Sequence, residues 1–318
     1  MWPELFTIPW LGLPIRSFGV LVGAGFLIGV WLMARMSRRW GTDPERDPAR
    51  IYELSTWVLI GVLGGARLAY VLINWRHYAD RPLDIVKTWE GGLVMYGGLI
   101  LALLLGVRKA RKLGMPGWQT ADYGLTAGFL GQAIGRVGCL MVGDDHGRPA
   151  DVPWAITFPD PLPSGSAFPP EWAGIPVHPT QPYMTLKALA LFGLGLWLLR
   201  RKKFHGQVTC VLLMGYALLR SLVELFRGDA GARGGVFREG LAPEEVGLRL
   251  HRLGVADPSG TITDVEGYRE LLRAGAEDVV PQLLLSTSQI LSAATFVFAL
   301  AAYLWLRSQP GRRVARAA

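Results

Sequence analysis

Long apolar runs separated by short polar ones set the pattern of this chain. A helix needs about 20 mostly apolar residues to cross a bilayer, and seven stretches reach that length: roughly 17–37, 51–74, 92–113, 118–142, 180–200, 206–227 and 283–307. The first predicts a retained helix and not a cleaved signal, because its flank from Met1 to Arg16 is nearly neutral and its run is long. Residues 228–282 break the pattern, being charged and turn-rich, with helix-like stretches at Pro243–Leu253 (Val246, Leu250 and Leu253 at helical spacing) and Tyr268–Ala274. The expectation is an all-α integral membrane protein, a single transmembrane domain over 1–318 with a soluble external insert at about 228–282. That insert reads as a solvated appendage in preference to a lid. No internal repeat is visible.

Charge adds orientation. Lys and Arg number 33 against 25 Asp and Glu, a net +8 that taken alone could suggest a nucleic-acid partner. The basic residues are sorted, however. Arg35, Arg38 and Arg39 follow the first run; Arg108, Lys109, Arg111 and Lys112 follow the third; Arg200, Arg201, Lys202 and Lys203 follow the fifth; and Arg307, Arg312, Arg313 and Arg316 end the chain. The alternate loops are mixed or acidic: 75–91 sets Arg76, Arg81 and Lys87 against Asp80, Asp84 and Glu90, and 143–177 sets Arg148 against Asp144, Asp145, Asp151, Asp160 and Glu171. Basic loops stay cytoplasmic, which predicts seven transmembrane helices with the N-terminus outside and the C-terminus cytoplasmic. The partner is the bilayer, and nucleic acid is excluded. The two cysteines, Cys139 and Cys210, form no disulfide framework or metal spacing.

A few charges remain inside the apolar runs, where each costs roughly 2.5–3.5 kcal/mol on insertion scales and survives by facing a cavity or a partner. Arg67, Arg136 and Arg220 each sit six or seven residues from the outer end of their runs, about 10 Å deep at 1.5 Å per residue. Glu224 follows Arg220 by four, on the same helix face. Three guanidinium groups at one depth suit an anion, because the planar fork grips phosphate oxygens in pairs, and the anion most available there is a phospholipid headgroup. Gly131, Gly135 and Gly138 allow close helix packing, while Gly143-Asp144-Asp145-His146-Gly147-Arg148 is a polar turn at the mouth of the proposed site.

These residues resemble the prolipoprotein diacylglyceryl transferases. The family's Gly-Arg-Ile-Gly-Asn followed by Gly-Glu and Gly-Arg is similar to Gly135-Arg136-Val137-Gly138-Cys139 followed by Gly143-Asp144 and Gly147-Arg148. Its His-Pro-Ser-Gln-x-Tyr is similar to His178-Pro179-Thr180-Gln181-Pro182-Tyr183, and its Tyr-x-x-x-Arg-x-x-x-Glu-x-x-Arg to Tyr216, Arg220, Glu224 and Arg227. Gly65, Arg67 and Tyr70 match a motif of the second span, and Gln289-Ile290-Leu291-Ser292 a motif of the last. The match leaves out 228–282.

The resemblance implies an enzyme of the bacterial inner membrane, with a site opening toward the outer leaflet. It implies transfer of the diacylglyceryl group of phosphatidylglycerol to the lipobox cysteine of a preprolipoprotein signal peptide, giving a thioether and glycerol 1-phosphate, with no metal or other cofactor. It implies catalytic roles for Arg136, Arg220, Glu224, Tyr96 and Asp144, and lipid contacts from Arg136, Arg67, Tyr216, Gly97, Gly98, Gly147, Cys139 and His178.

Four positions depart from the family pattern. Its His-Gly-Gly reads Tyr96-Gly97-Gly98, its asparagine is Cys139, its glutamate is Asp144, and the tyrosine of its first span is Phe18. Tyrosine titrates near 10 and histidine near 6.5, so at neutral pH the Tyr96 phenol keeps its proton and is a poor base unless nearby arginines lower its pKa, and His146 and His178 are the other candidates. The departures also fit a second reading, a relative that binds anionic phospholipid without this activity or acts on a different acceptor.

Overall fold

A computed structural model describes residues 1–10, 12–80, 82–87, 91–238 and 240–309; Arg81, Glu90, Arg312, Arg313 and Arg316 of the charge pattern lie outside them. The chain runs β1 (Glu4–Ile8), β2 (Leu13–Arg16), α1 (Ser17–Trp40), α2 (Asp47–Ile73), α3 (Trp75–Asp80), α4 (Met95–Lys112), α5 (Gly117–Val142), β3 (Ile156–Thr157), β4 (Pro176–Val177), α6 (Thr180–Leu199) and α7 (Gln207–Glu224). It continues through α8 (Ala230–Arg233), β5 (Gly235–Phe237), α9 (Pro243–Arg252), α10 (Val265–Arg273), β6 (Leu283–Ser286) and α11 (Thr287–Ser308). The protein is thus a helical, multi-pass membrane protein, since a helix satisfies its own backbone where lipid offers no partner. Its strands form three antiparallel pairs, β1–β2, β3–β4 and β5–β6, too short to leave a period in the sequence.

Among the described residues, six helices are long and apolar enough to cross a membrane: α1, α2, α5, α6, α7 and α11. The run at 92–113 forms α4, which ends in Arg108, Lys109, Arg111 and Lys112. Its apolar part, Met95–Val107, is shorter than the ~30 Å hydrocarbon core, so spanning would require those basic side chains to reach the interface.

Contacts divide the chain into two compact units, Gly29–Ala127 on the one hand and Met1–Ile28 with Gly128–Ala318 on the other, the division falling within α1 and within α5. In the first unit, α2 and α4 pack backbone to backbone. A Cβ on Gly65 would lie 2.4 Å from the Gly97 carbonyl oxygen, one on Gly97 2.3 Å from Ala69 Cβ, and one on Gly98 2.7 Å from the Val62 carbonyl oxygen. Gly64, one residue away, has open space. Gly65→Val should therefore destabilise the protein by about 1–3 kcal/mol through overpacking, whereas Gly64→Val should leave it nearly unchanged. Thermal denaturation of the two variants in detergent checks this, and equal melting temperatures would refute the packing argument.

In the second unit, α6, α7 and α11 pack together, and Gly25 and Gly131 meet with a Cβ on the former 2.6 Å from the carbonyl oxygen of the latter. The segment at 228–282, expected as a solvated appendage, packs on the loop before α6. Val246 and Leu250 of α9, Tyr268 and Leu272 of α10, and Val279 share a hydrophobic core with Phe158, Phe168, Trp172, Ile175 and Val177 of the preceding loop. Leu253, the third residue of that spacing, is exposed at the end of α9. Arg269 fastens the same contact, donating to Asp160 Oδ2 at 2.7 Å and to the Pro170 carbonyl at 2.9 Å. The insert needs the loop to bury its two amphipathic helices, which cannot do so alone.

Candidate active site

Three segments of the second unit converge on the turn after α5. Gly143 adopts φ 81 and Asp145 φ 55, both in the left-handed region, so the chain reverses directly beyond the helix. Thr180 Oγ1 donates to the Asp145 carbonyl at 2.6 Å and Gln181 Nε2 to that of Asp144 at 2.7 Å, fixing the turn to the start of α6. Arg148 N–H donates to the Phe226 carbonyl at 2.9 Å and Gly228 N–H to that of His146 at 3.0 Å, fixing it to the segment after α7. A Cβ on Gly147 would fall 2.1 Å from the His178 carbonyl oxygen, so this glycine serves the close approach of two backbones.

The charges sit on that frame. Arg136 of α5 pairs with Asp145, and its Nη1 also donates to Cys139 Sγ at 3.7 Å. Arg227 reaches the other oxygen of Asp145 at 2.5 Å and also pairs with Asp229. Glu224, only 3% exposed, pairs with Arg220 on its own helix and accepts from Arg233 Nη1 at 3.1 Å. Arg233 Nε lies 3.4 Å from Asp229, and Arg220 Nη2 donates to Ser288 Oγ of α11 at 3.1 Å. Lys187 of α6 is buried with its Nζ 4.2 Å from the centre of the Tyr216 ring, within range of the charges on Arg220 and Arg136. Arg136, Arg220, Arg227 and Arg233 thus share the carboxylates of Asp145, Glu224 and Asp229, with Lys187 beside them on the Tyr216 ring. The positive surplus suits an anion.

Asp144 stands apart from the guanidinium groups, its Oδ1 accepting the Asp145 N–H at 2.8 Å. Burial, and next the charge of Asp145, push its pKa up. Burial alone would raise Asp145 as well, but Arg227 and Arg136 outweigh it and hold that carboxyl below its usual range. His146, one of the candidate bases, is not solvent-exposed. It is buried edge-on against Phe168 and Trp172 of the loop before α6, each centroid 5.0 Å away, and burial lowers its pKa. His178 packs on Phe226 at 4.9 Å and is lowered by burial and then by Arg148. Beside these groups lies a cavity of about 620 Å³ whose walls include Arg148, His178, Glu224, Arg227, Arg233 and Gln289.

The first unit holds the other expected residues. Arg67, 8% exposed, does not offer an open guanidinium. Its Nε donates to the Ile85 carbonyl at 2.8 Å, Nη1 to Gly91 at 2.8 Å and Gly92 at 3.2 Å, and Nη2 to Asp84 at 2.6 Å. Stacked between Tyr70 and Tyr78, it organises the loop before α4, along a cavity of about 450 Å³. Tyr96 opens α4 and is 43% exposed. Gly97 and Gly98 are spent on helix packing.

Sequence reasoning passed over Lys187, although a lysine within an apolar run carries the same signal as Arg136. It named Arg227 in a motif without giving it a role. Asp145 stood in the polar turn at the mouth of the proposed site but had no role of its own, and Asp229 and Arg233 were not singled out, since charges just beyond a span are ordinary.

Comparison with known proteins gives a consistent result. The family described as prolipoprotein diacylglyceryl transferase matches residues 3–305. A phosphatidylglycerol–prolipoprotein diacylglyceryl transferase of Synechococcus elongatus is 34% identical over 224 residues, 69% of this chain and 75% of its own. Those of Ruegeria pomeroyi and Bordetella bronchiseptica are 34% and 36% identical, covering 71% and 68% of this chain and 79% of each relative.

Proposed function

Because the chain belongs to the prolipoprotein diacylglyceryl transferase family, we propose that it moves the diacylglyceryl group of phosphatidylglycerol onto the thiol of a preprolipoprotein's lipobox cysteine, releasing glycerol 1-phosphate. The sulfur attacks the glycerol carbon as its bond to the phosphate oxygen breaks. The electron pair leaves with that oxygen, and the thiol proton is given up to a base. The step balances without a metal or organic cofactor. Charge builds on the departing phosphate, so cations placed there lower the barrier.

The observation that carries this reading is the cationic surplus around Asp145 and Glu224, centred on Arg136, Arg220 and Arg227. In this assignment Arg136 and Arg220 hold the phosphate, Glu224 orients Arg220, and Tyr216, Cys139 and His178 line the lipid's path. Gly147 supports the site through the close backbone approach it allows, and Asp144 as a catalytic residue and Arg67, Gly97 and Gly98 as lipid contacts are assigned on their places in the motifs alone. Tyr96 takes the proton-accepting position on its place in the motif alone. We further propose seven spans in the bacterial inner membrane, N-terminus outside, with the site toward the outer leaflet; the basic ends of α1 and α4 would then face the cytoplasm.

Expression in cells depleted of their own transferase should restore lipidated prolipoprotein; its absence at normal expression would overturn the reading. Tyr96→His should raise the rate near neutral pH, where imidazole is the better base. An unchanged rate in a vesicle assay with phosphatidylglycerol and a lipobox peptide would remove Tyr96 from the proton step.

A further inference from the structure

Asp145 puts a negative charge where a phosphate site would be expected to avoid one. One carboxylate oxygen pairs with Arg136 and the other lies 2.5 Å from Arg227 Nη2. Its backbone, at φ 55, is the one non-glycine position with positive φ among the described residues, a conformation that persists when neighbours enforce it. Thr180 and Gln181 do so through the carbonyls of Asp145 and Asp144. The turn is held from α6, and the carboxylate is delivered to guanidinium groups from two other segments.

On the transferase reading, the two phosphates that visit the site differ in charge. The lipid is a diester with one negative charge. The product is a monoester whose second proton leaves near pH 6, so it approaches two charges at neutral pH. Bare arginines would grip the product more tightly than the substrate and slow each turnover. We propose that Asp145 is an internal counter-anion that competes with bound phosphate for Arg136 and Arg227, favouring the singly charged lipid headgroup over the doubly charged glycerol phosphate product. It is a positioning residue, touching the arginines and not the reacting atoms. The other charged or titratable groups facing it are Asp144 in its own turn, Cys139 of α5, Lys187 of α6 and Asp229 beyond α7. Because its arginines hold Asp145 ionised to low pH, the product's own titration sets the pH dependence.

The test is calorimetric binding of glycerol 1-phosphate to the full-length protein in detergent, from pH 5 to pH 8, with no acceptor peptide present. For the wild type, affinity should rise by no more than about a few-fold as the ligand loses its second proton, because Asp145 offsets part of the cationic surplus. Asp145→Asn should bind about tenfold more tightly at pH 8, the effect of removing one partly buried like charge, with a smaller gain at pH 5. Asp145→Glu should resemble the wild type. Equal or weaker binding by Asp145→Asn would overturn the proposal, and so would a wild-type affinity that climbs about tenfold or more with ligand charge, which keeps the idea testable if the variant fails to fold. Since binding is read without transfer, an inactive protein that meets these expectations would refute the transferase reading and leave Asp145 standing as a competitor with phosphate for Arg136 and Arg227.

Discussion

Arg136→Ala should slow diacylglyceryl transfer roughly 10²- to 10³-fold, the usual consequence of removing one group aimed at developing charge. The loss should appear chiefly in kcat, with a smaller change in KM, because the phosphate charge that Arg136 meets grows as the carbon–oxygen bond breaks. Its place at the pair with Asp145 and beside Cys139 means that alanine also leaves Asp145 to Arg227 alone. Arg136→Lys should recover only part of the rate, since an ammonium cannot engage two oxygens in one plane. Initial rates in phosphatidylglycerol vesicles with a lipobox peptide check this. Activity within a few-fold of wild type for Arg136→Ala would remove the residue from the leaving-group site.

Glu224→Gln should damage both stability and activity. The carboxylate is buried and faces two guanidinium groups, Arg220 and Arg233. Removing one partner of such a pair strands the others and costs about 3–5 kcal/mol. A clear fall in melting temperature is expected together with slower transfer, because Arg220 loses its orienting partner. Arg233→Ala made alongside Glu224→Gln should recover part of the stability and little of the activity, since it removes one stranded charge and leaves Arg220 unguided. The two readouts separate a purely structural carboxylate, for which stability and activity would recover together, from one that also aims Arg220.

What the sequence revealed follows from how membranes treat charge. Arg136, Arg220 and Glu224 were legible because an ionised side chain persists in an apolar run only where a partner or a polar cavity offsets its desolvation, and helical spacing alone placed Glu224 against Arg220. The same reasoning could not choose between Asp144 and Asp145. Adjacent carboxyls are alike in a sequence, and the left-handed backbone of Asp145 decides which one turns to Arg136. Nor could it see Arg233 or Asp229, which reach the site because the chain after α7 runs back beside Gly147. Arg67 carried the correct signal of a buried arginine, but its partners proved to be backbone carbonyls of the following loop. The amphipathic faces of α9 and α10 were readable in outline. Their partner was not, because the loop supplying Phe158, Phe168 and Trp172 has no regular period.

The shared core outside the helices has a consequence for biogenesis. Its residues run from Phe158 to Val279, with α6 and α7 threaded between the two contributing stretches. Contacts so distant in sequence close slowly and late. As the chain emerges from the ribosome, the turn bearing Asp144 and Asp145 is synthesised early, with Phe168 and Trp172 that pack on His146 soon after, yet the core those two rings share cannot be completed until α10 and Val279 have followed. A nascent chain halted after α7 would leave Phe158, Phe168 and Trp172 unsheltered, a natural point for quality-control proteases to recognise an unfinished protein.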